Sequence, residues 1–381
     1  KESEGTLVIQ AIAKALKEAR SGIKVIIEQR EEGEARIREV GVFTAVEKEA
    51  IGREYFEKIV NNGKDENYEK YYKKQSEEYI DKQIKYYEKK LAELADEICG
   101  QDPGIRLVCI AGPSSSGKTT FMKRLIIHLW VNGVHPVMLS LDDYFKNRDE
   151  MEGESWENLQ AMDISLFEKT VINLLEGKEV QLPRFNFITG KKEWYDEPVR
   201  LGENQPVLVE GLHALNPKLT YFVPGYQQMR IYLSALTQIN INNHNRISTS
   251  DTRLLRRMVR DVQYRGYSPE DTLSIWKSVR RGEEENIFSF QNRADCIFNS
   301  ALIYELPVLK KMTRPMLERI KKGNPLYPEA QRLIHFFEPF RELSNDFVPD
   351  NSILREFIGY KKVSYVDGRI KKKDPRLMLD F

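Results

Sequence analysis

The 381-residue sequence predicts an α/β fold: a parallel sheet with helices on both faces, joined to a small N-terminal α+β region and a long helix. Three observations predict it. From residue 105 onward, short apolar runs rich in β-branched residues alternate with helical segments, the pattern of successive βαβ units. The first run opens onto Gly112-Pro113-Ser114-Ser115-Ser116-Gly117-Lys118-Thr119-Thr120, which meets G-x-x-x-x-G-K-[ST] at every fixed position. A strongly basic helix over 250–264 follows the fourth run and reads as a lid. Together these describe a P-loop NTPase with an arginine-rich lid.

In chain order, residues 7–20 read as a helix ended near Gly22, 23–28 and 37–43 as strands of a hairpin, and 46–60 as a helix. This is the small α+β region, 1–62. Residues 63–100 form a long Tyr/Lys/Glu-rich helix and linker. Ile80, Ile84, Tyr87, Leu91, Leu94 and Ile98 recur at steps of three and four, one face of a helix. That seam serves either the protein's own core or a partner-binding arm. The P-loop domain spans 101–310, its lid about 248–290, and 311–381 supplies C-terminal helices and a tail. Its strands are expected at 105–111, 135–141, 206–211, 230–236 and within 294–302. Helices are expected at 121–130 and 166–175, and again up to about residue 340.

Hydrophobic residues make up 41% and charged residues 31%, the balance of a globular chain with an ample core. Lys+Arg 59 against Asp+Glu 58 leaves a net charge of +1, so no global field favours nucleic acid or an anionic membrane. Cys99, Cys109 and Cys296 lie far apart without metal spacing, and Cys109 sits inside an apolar run. Few cysteines, no secretory signal and no apolar run near 18 residues imply a cytoplasmic protein. A homo-oligomer stays open.

The chemistry starts at the P-loop. Backbone N–H groups of Gly112–Thr120 and the following helix N-terminus would face phosphates, where the helix dipole also favours negative charge. Lys118 would reach the β/γ-phosphates and the Thr119 hydroxyl would bind Mg²⁺. The second strand runs into Asp142-Asp143-Tyr144-Phe145, where a carboxylate can orient a hydroxyl and take its proton. Asp142 is favoured and Asp143 is the alternative. Glu210 closes the third strand, the place for a Mg²⁺ carboxylate; a lone glutamate followed by Gly211 differs from motor ATPases. His213 follows with no second ligand beside it, and such a histidine is more often structural. Arg253, Arg256, Arg257 and Arg260 mostly crowd one side of a helix, as in a solvated face, a nucleic-acid patch or a lid laying guanidinium groups over phosphate. Arg280-Arg281 forms a second candidate for phosphate or lid contacts.

At these residues the chain resembles the uridine kinase/phosphoribulokinase family of P-loop kinases. The collinear matches are Gly112–Thr120, 139–145, 207–211 and 251–261. Phrases such as 210–217, 299–302 and 355–359 look like bacterial uridine-kinase-like nucleoside kinases carrying a threonyl-tRNA-synthetase-like N-terminal extension. The resemblance covers roughly residues 90–360. It implies Asp142 as the group acting on the acceptor hydroxyl, with Lys118, Arg253 and Arg257 at the transferring phosphate and Arg256 and Arg260 at the nucleotide. It implies an acceptor pocket of Asp142, Tyr144, Glu157, Phe185 and Arg253. Glu157 follows Trp156 where the family's ribose carboxylate falls, and Asp163 lies a little downstream. The chain departs from the family in two places, mildly at Glu157, where aspartate is more usual, and more widely in the segment 183–191. Phe185, Asn186 and Gly190 stand in the loop where uridine/cytidine kinases have the Tyr-Asp and His that lie against the pyrimidine. No His-x-x-x-His pair marks the first 60 or so residues, so zinc editing chemistry is not expected there.

The expected activity is therefore ATP- and Mg²⁺-dependent phosphorylation of a small-molecule hydroxyl, with the 5′-OH of a nucleoside as the first choice. A sugar, sugar phosphate or other alcohol is the alternative within kinases. An ATP-binding regulatory or RNA-associated protein is the alternative of another class.

Overall fold

The computed structural model describes residues 66–102, 104–151, 157–187, 189–237 and 247–360, together with strands β1 (Glu28–Gln29) and β2 (Ala35–Arg36). β1 and β2 pair antiparallel within the segment predicted as a hairpin. The predicted helices at 7–20 and 46–60, the tail beyond 360 and Trp156 lie outside the described residues. The chain divides into two compact units. One comprises the described parts of Lys1–Lys58, Lys85–Leu236 and Lys277–Ala301; the other those of Ile59–Ile84, Thr237–Trp276 and Leu302–Phe381.

The first unit is built on a five-stranded sheet of β3 (Leu107–Ala111), β4 (Val137–Ser140), β9 (Val207–Gly211), β10 (Gln228–Ser234) and β11 (Cys296–Asn299). Their order is β11-β10-β3-β9-β4 and every pairing is parallel. All five residues of β3 and all five of β9 are buried. Alternate side chains of a strand face opposite ways, so both faces of the sheet centre are covered. That is why these stretches read as continuous apolar runs rather than alternating ones.

Helix α1 (Glu66–Cys99) carries the predicted seam, and all six of its residues are buried, so the seam is core. Tyr87 meets Phe298 of β11 edge-on, with ring centroids 5.0 Å apart. Helix α2 (Lys118–Val131) follows the P-loop. Helix α3 (Ile164–Leu175) starts where the Asp163 carboxylate accepts from Leu166 N–H at 3.0 Å, and stops ahead of Gly177, whose φ of 73° suits a helix end. Two antiparallel pairs were not anticipated. β5 (Glu179–Val180) pairs with β8 (Val199–Arg200), and β6 (Pro183–Asn186) with β7 (Lys191–Trp194). Phe185 and Asn186, expected in a loop, thus end β6, and Gly190 directly precedes β7.

In the second unit, helix α4 (Thr249–Tyr264) is the predicted basic helix, capped by Ser248, whose hydroxyl accepts from Asp251 N–H. Helix α5 (Pro269–Asn286) follows it in the chain and passes into the first unit's residues at 277. Helices α6 (Glu305–Leu317), α7 (Tyr327–Phe337) and α8 (Arg355–Ile358) complete the second unit. No described helix is long and apolar enough to cross a membrane.

Candidate functional site

Because the five strands run the same way, the segments leaving their carboxyl ends gather along one edge of the sheet. Ligands of open parallel sheets bind in the crevice there. The P-loop leaves β3 at the sheet centre. Gly112 has no room for a side chain: a Cβ would stand 2.1 Å from the Leu233 carbonyl oxygen. Gly117, at φ 94°, turns the chain into α2 and offers no side-chain cap, which leaves the first amides of that helix for an anion. Lys118 lies across the loop, its ammonium donating to the carbonyls of Gly112 at 3.0 Å and Pro113 at 3.4 Å.

Two further residues brace the loop, and neither was picked out for this role from sequence. The Glu283 carboxylate accepts from Ser114 N–H at 2.8 Å and from Arg280 Nη1 at 2.9 Å. Ser300, just past β11, donates its hydroxyl to the Ser116 carbonyl at 2.5 Å. Arg280, expected at phosphate, is thus engaged with Glu283 and, at 3.4 Å, with Glu284.

On one side of the P-loop, the penultimate residue of β9 is Glu210, which is buried. Its Oε1 accepts from the Thr119 hydroxyl and from the Ser140 hydroxyl, each at 3.1 Å. Ser140 is the residue paired with Glu210 across β4 and β9. A hydroxyl and a carboxylate held together form the small, hard oxygen set that Mg²⁺ takes from protein while keeping other positions for water and phosphate. Among the described residues no three His, Cys, Asp or Glu side chains cluster to hold a metal without such partners.

One strand further out, β4 runs into a short 3-10 turn, Leu141–Tyr144. The two aspartates of this turn separate in role. Asp143 accepts from Phe185 N–H at 3.1 Å and so ties the β6–β7 hairpin to the turn. Asp142 has no such duty in the hairpin. Tyr144, expected at the acceptor, packs edge-on against Phe167 with 1% exposure, and burial pushes its hydroxyl pKa up. Its ring belongs to the core. Phe185 joins Phe145 and Phe187 in an aromatic cluster, centroids 5.8 and 5.1 Å away. At Gly190 the φ is +69°, and a Cβ would come within 2.9 Å of the Arg148 side chain, so turn and neighbour both favour glycine. Asp163 is not a loose carboxylate: besides capping α3 it holds Lys192 at 2.8 Å. Burial opposes its ionisation, but the Lys192 and Leu166 hydrogen bonds outweigh that and lower its pKa.

Glu157 packs under α5, where a Cβ on Gly282 would fall 2.6 Å from the Glu157 Cβ. His213, in the turn after β9, is 3% exposed. Burial holds its pKa down at about 4, although the Glu157 backbone and the Asp142 carboxylate both favour the charged ring. The Glu157 backbone lies near the ring but outside hydrogen-bond geometry: neither ring nitrogen has a hydrogen-bond partner among the described residues.

The lid arginines belong to the second unit and have partners there. Arg256 is fully buried, bonded to Glu305 at 2.5 Å with its guanidinium carbon 5.1 Å from the centre of the Phe357 ring. Its expected place at the nucleotide gives way to this buried ion pair. Arg257 and Arg260 both donate to Asp261, at 3.1 and 2.9 Å. Arg253 lies over Trp276, 5.4 Å from the ring centre.

The pattern of the Phosphoribulokinase / Uridine kinase family matches residues 107–304. Uridine-cytidine kinase C of Dictyostelium discoideum is 25% identical over 167 residues, 44% of this chain and 32% of that protein. The uridine kinase of Borrelia hermsii is 27% identical over 183 residues, 46% of this chain and 77% of its own. The Arabidopsis thaliana protein named inorganic pyrophosphatase TTM2 is 25% identical over 228 residues, 58% of this chain and 30% of that protein. The match thus spans about a third of the Dictyostelium protein and about three quarters of the Borrelia one.

Proposed function

From its membership of the phosphoribulokinase/uridine kinase family, to which this chain belongs, we propose that the protein transfers the γ-phosphoryl group of ATP to a hydroxyl of a small molecule, in the first instance the 5′-hydroxyl of a nucleoside. The observation that carries this reading is the layout of three adjacent strands. β3 leads into the P-loop, β9 carries Glu210 next to its last residue, and β4 runs into the turn with Asp142, all at the same edge. A phosphate cradle, a cation carboxylate and a carboxylate for the nucleophile are the parts phosphoryl transfer needs from protein.

In this reading the amides of Gly112–Thr120 hold the ATP phosphates, and Lys118 exchanges its carbonyl partners for phosphate oxygens. Thr119 and Glu210 would hold Mg²⁺, which when bound neutralises charge on the phosphates. Asp142 accepts the hydroxyl proton as the oxygen attacks the γ-phosphorus, and ADP leaves. Asp143 is the weaker candidate for base because the hairpin uses it. A phosphate role for Arg253 and Arg257 is carried over from the sequence resemblance.

The hairpin favours a second acceptor class, a sugar or other alcohol. Phe185 is enclosed by Phe145 and Phe187, and Gly190 has no side chain, so neither offers a polar atom to a pyrimidine edge. A phosphate-transfer assay with ATP and Mg²⁺ against nucleosides, sugars and other alcohols tests both classes. Transfer to none of them, with ATP still bound, would overturn the kinase reading.

A further inference from the structure

His213 is a buried polar side chain beyond the carboxyl end of β9 that the roles above leave unused. It is 3% exposed, and neither Nδ1 nor Nε2 has a hydrogen-bond partner among the described residues. Its electrostatic neighbours are the carboxylate of Asp142, the proposed base, and the backbone of Glu157. A buried polar group without a partner is costly, and in native proteins such groups mark places where another molecule completes the bonding.

Resting on the kinase reading above, we propose that His213 is a specificity-determining residue that hydrogen-bonds a hydroxyl of the acceptor other than the one phosphorylated. The chemistry is complementary. A carboxylate such as that of Asp142 serves as an acceptor, whereas a neutral imidazole donates from one nitrogen and accepts at the other. Burial keeps the ring neutral through the physiological range, so it retains both functions. With Phe185 and Gly190 offering no polar side-chain atom to a base, selectivity falls on the hydroxyl-bearing part of the acceptor. The ligand class is therefore a polyhydroxylated molecule, such as the ribose of a nucleoside or a free sugar.

The full chain tests this with His213→Leu, His213→Gln and His213→Asn, using the best acceptor of the transfer screen and its deoxy analogues. His213→Leu should raise the acceptor KM about tenfold or more and leave the ATP KM within about twofold. Gln or Asn, which keep one donor and one acceptor, should recover part of that loss. The wild-type chain should prefer the acceptor over one of its deoxy analogues, and His213→Leu should lose that preference. An unchanged acceptor KM in His213→Leu, or a preference that survives the substitution, overturns this inference alone. Equal rises in both KM values would also overturn it, since a structural role moves both. A wild-type chain that phosphorylates nothing overturns the kinase reading beneath it.

Discussion

The fully buried carboxylate of Glu283 accepts a hydrogen bond from the backbone N–H of Ser114, 2.8 Å away across 169 residues of sequence. A glutamate near the end of α5 thereby fixes the outer arm of the P-loop, and Arg280 neutralises it. Glu283→Ala would leave the Ser114 amide and the Arg280 guanidinium short of that acceptor. The expected loss is about 2–3 kcal/mol of stability, read from urea midpoints, with weaker stabilisation by added nucleotide in a thermal melt. Glu283→Gln keeps an acceptor for the amide and should lose less. An alanine variant as stable and as responsive to nucleotide as the parent would remove Glu283 from this role.

Arg256 and Glu305 are 0% and 1% exposed at the side chain, so neither can turn to water when the other is removed. Glu305→Ala should therefore destabilise the protein by about 3–5 kcal/mol, the cost of an unpaired buried charge. The double variant Arg256→Met/Glu305→Leu should recover much of that, because an apolar pair of similar volume carries no desolvation cost. Urea unfolding of the two variants and the parent measures both effects. Equal losses in the single and the double variant would contradict the pair as described.

What the sequence made legible follows from the range of the interactions involved. The buried strands stand out because central parallel strands are apolar on both faces, and the P-loop because its glycines, lysine and threonine are contiguous. The hairpin of β6 and β7 is obscure for the opposite reason. Only Pro183 and Phe185 of its eight residues are buried, so alternation is confined to the four residues of β6 and no residue of β7 is buried. Helix α5 is interrupted in composition by Gly282, which the contact with Glu157 requires and no local rule would predict. Ser140 and Glu283 meet their partners across 70 and 169 residues, beyond any motif spacing. Arg256 looked like its basic neighbours because the sequence alone did not connect it with Glu305.

The depressed pKa of His213 makes a signed prediction for stability. Burial is the main cause, opposed by the Glu157 backbone and the Asp142 carboxylate. Above the ordinary value of 6.5 the ring is neutral in folded and unfolded chains alike and contributes no pH dependence. As pH falls from 6.5 to about 4, the unfolded chain takes up a proton that the folded chain refuses. Stability should drop across that window by roughly 3 kcal/mol from this group. His213→Gln removes the component, so the parent-minus-variant difference in urea midpoint should change with pH there and be flat above it. A difference flat throughout would show that the ring titrates normally.

The last prediction separates two neighbours in one turn. Asp143 is bonded to Phe185 N–H, and Asp142 is the carboxylate proposed above to act on the acceptor hydroxyl. Asp142→Asn should reduce transfer by about 10²–10⁴-fold, the usual worth of a positioned base, while the melting temperature stays close to the parent's. Asp143→Asn can still accept from Phe185 N–H and should keep most activity. Asp143→Ala releases the hairpin and should lower stability by about 1 kcal/mol and raise the acceptor KM. Lys118→Ala serves as the reference for loss on the donor side, since it removes a phosphate contact and leaves both aspartates in place. Initial rates at saturating ATP, with melting temperatures for all four variants, decide the assignment. An active Asp142→Asn beside a folded but inactive Asp143→Asn would exchange the two roles.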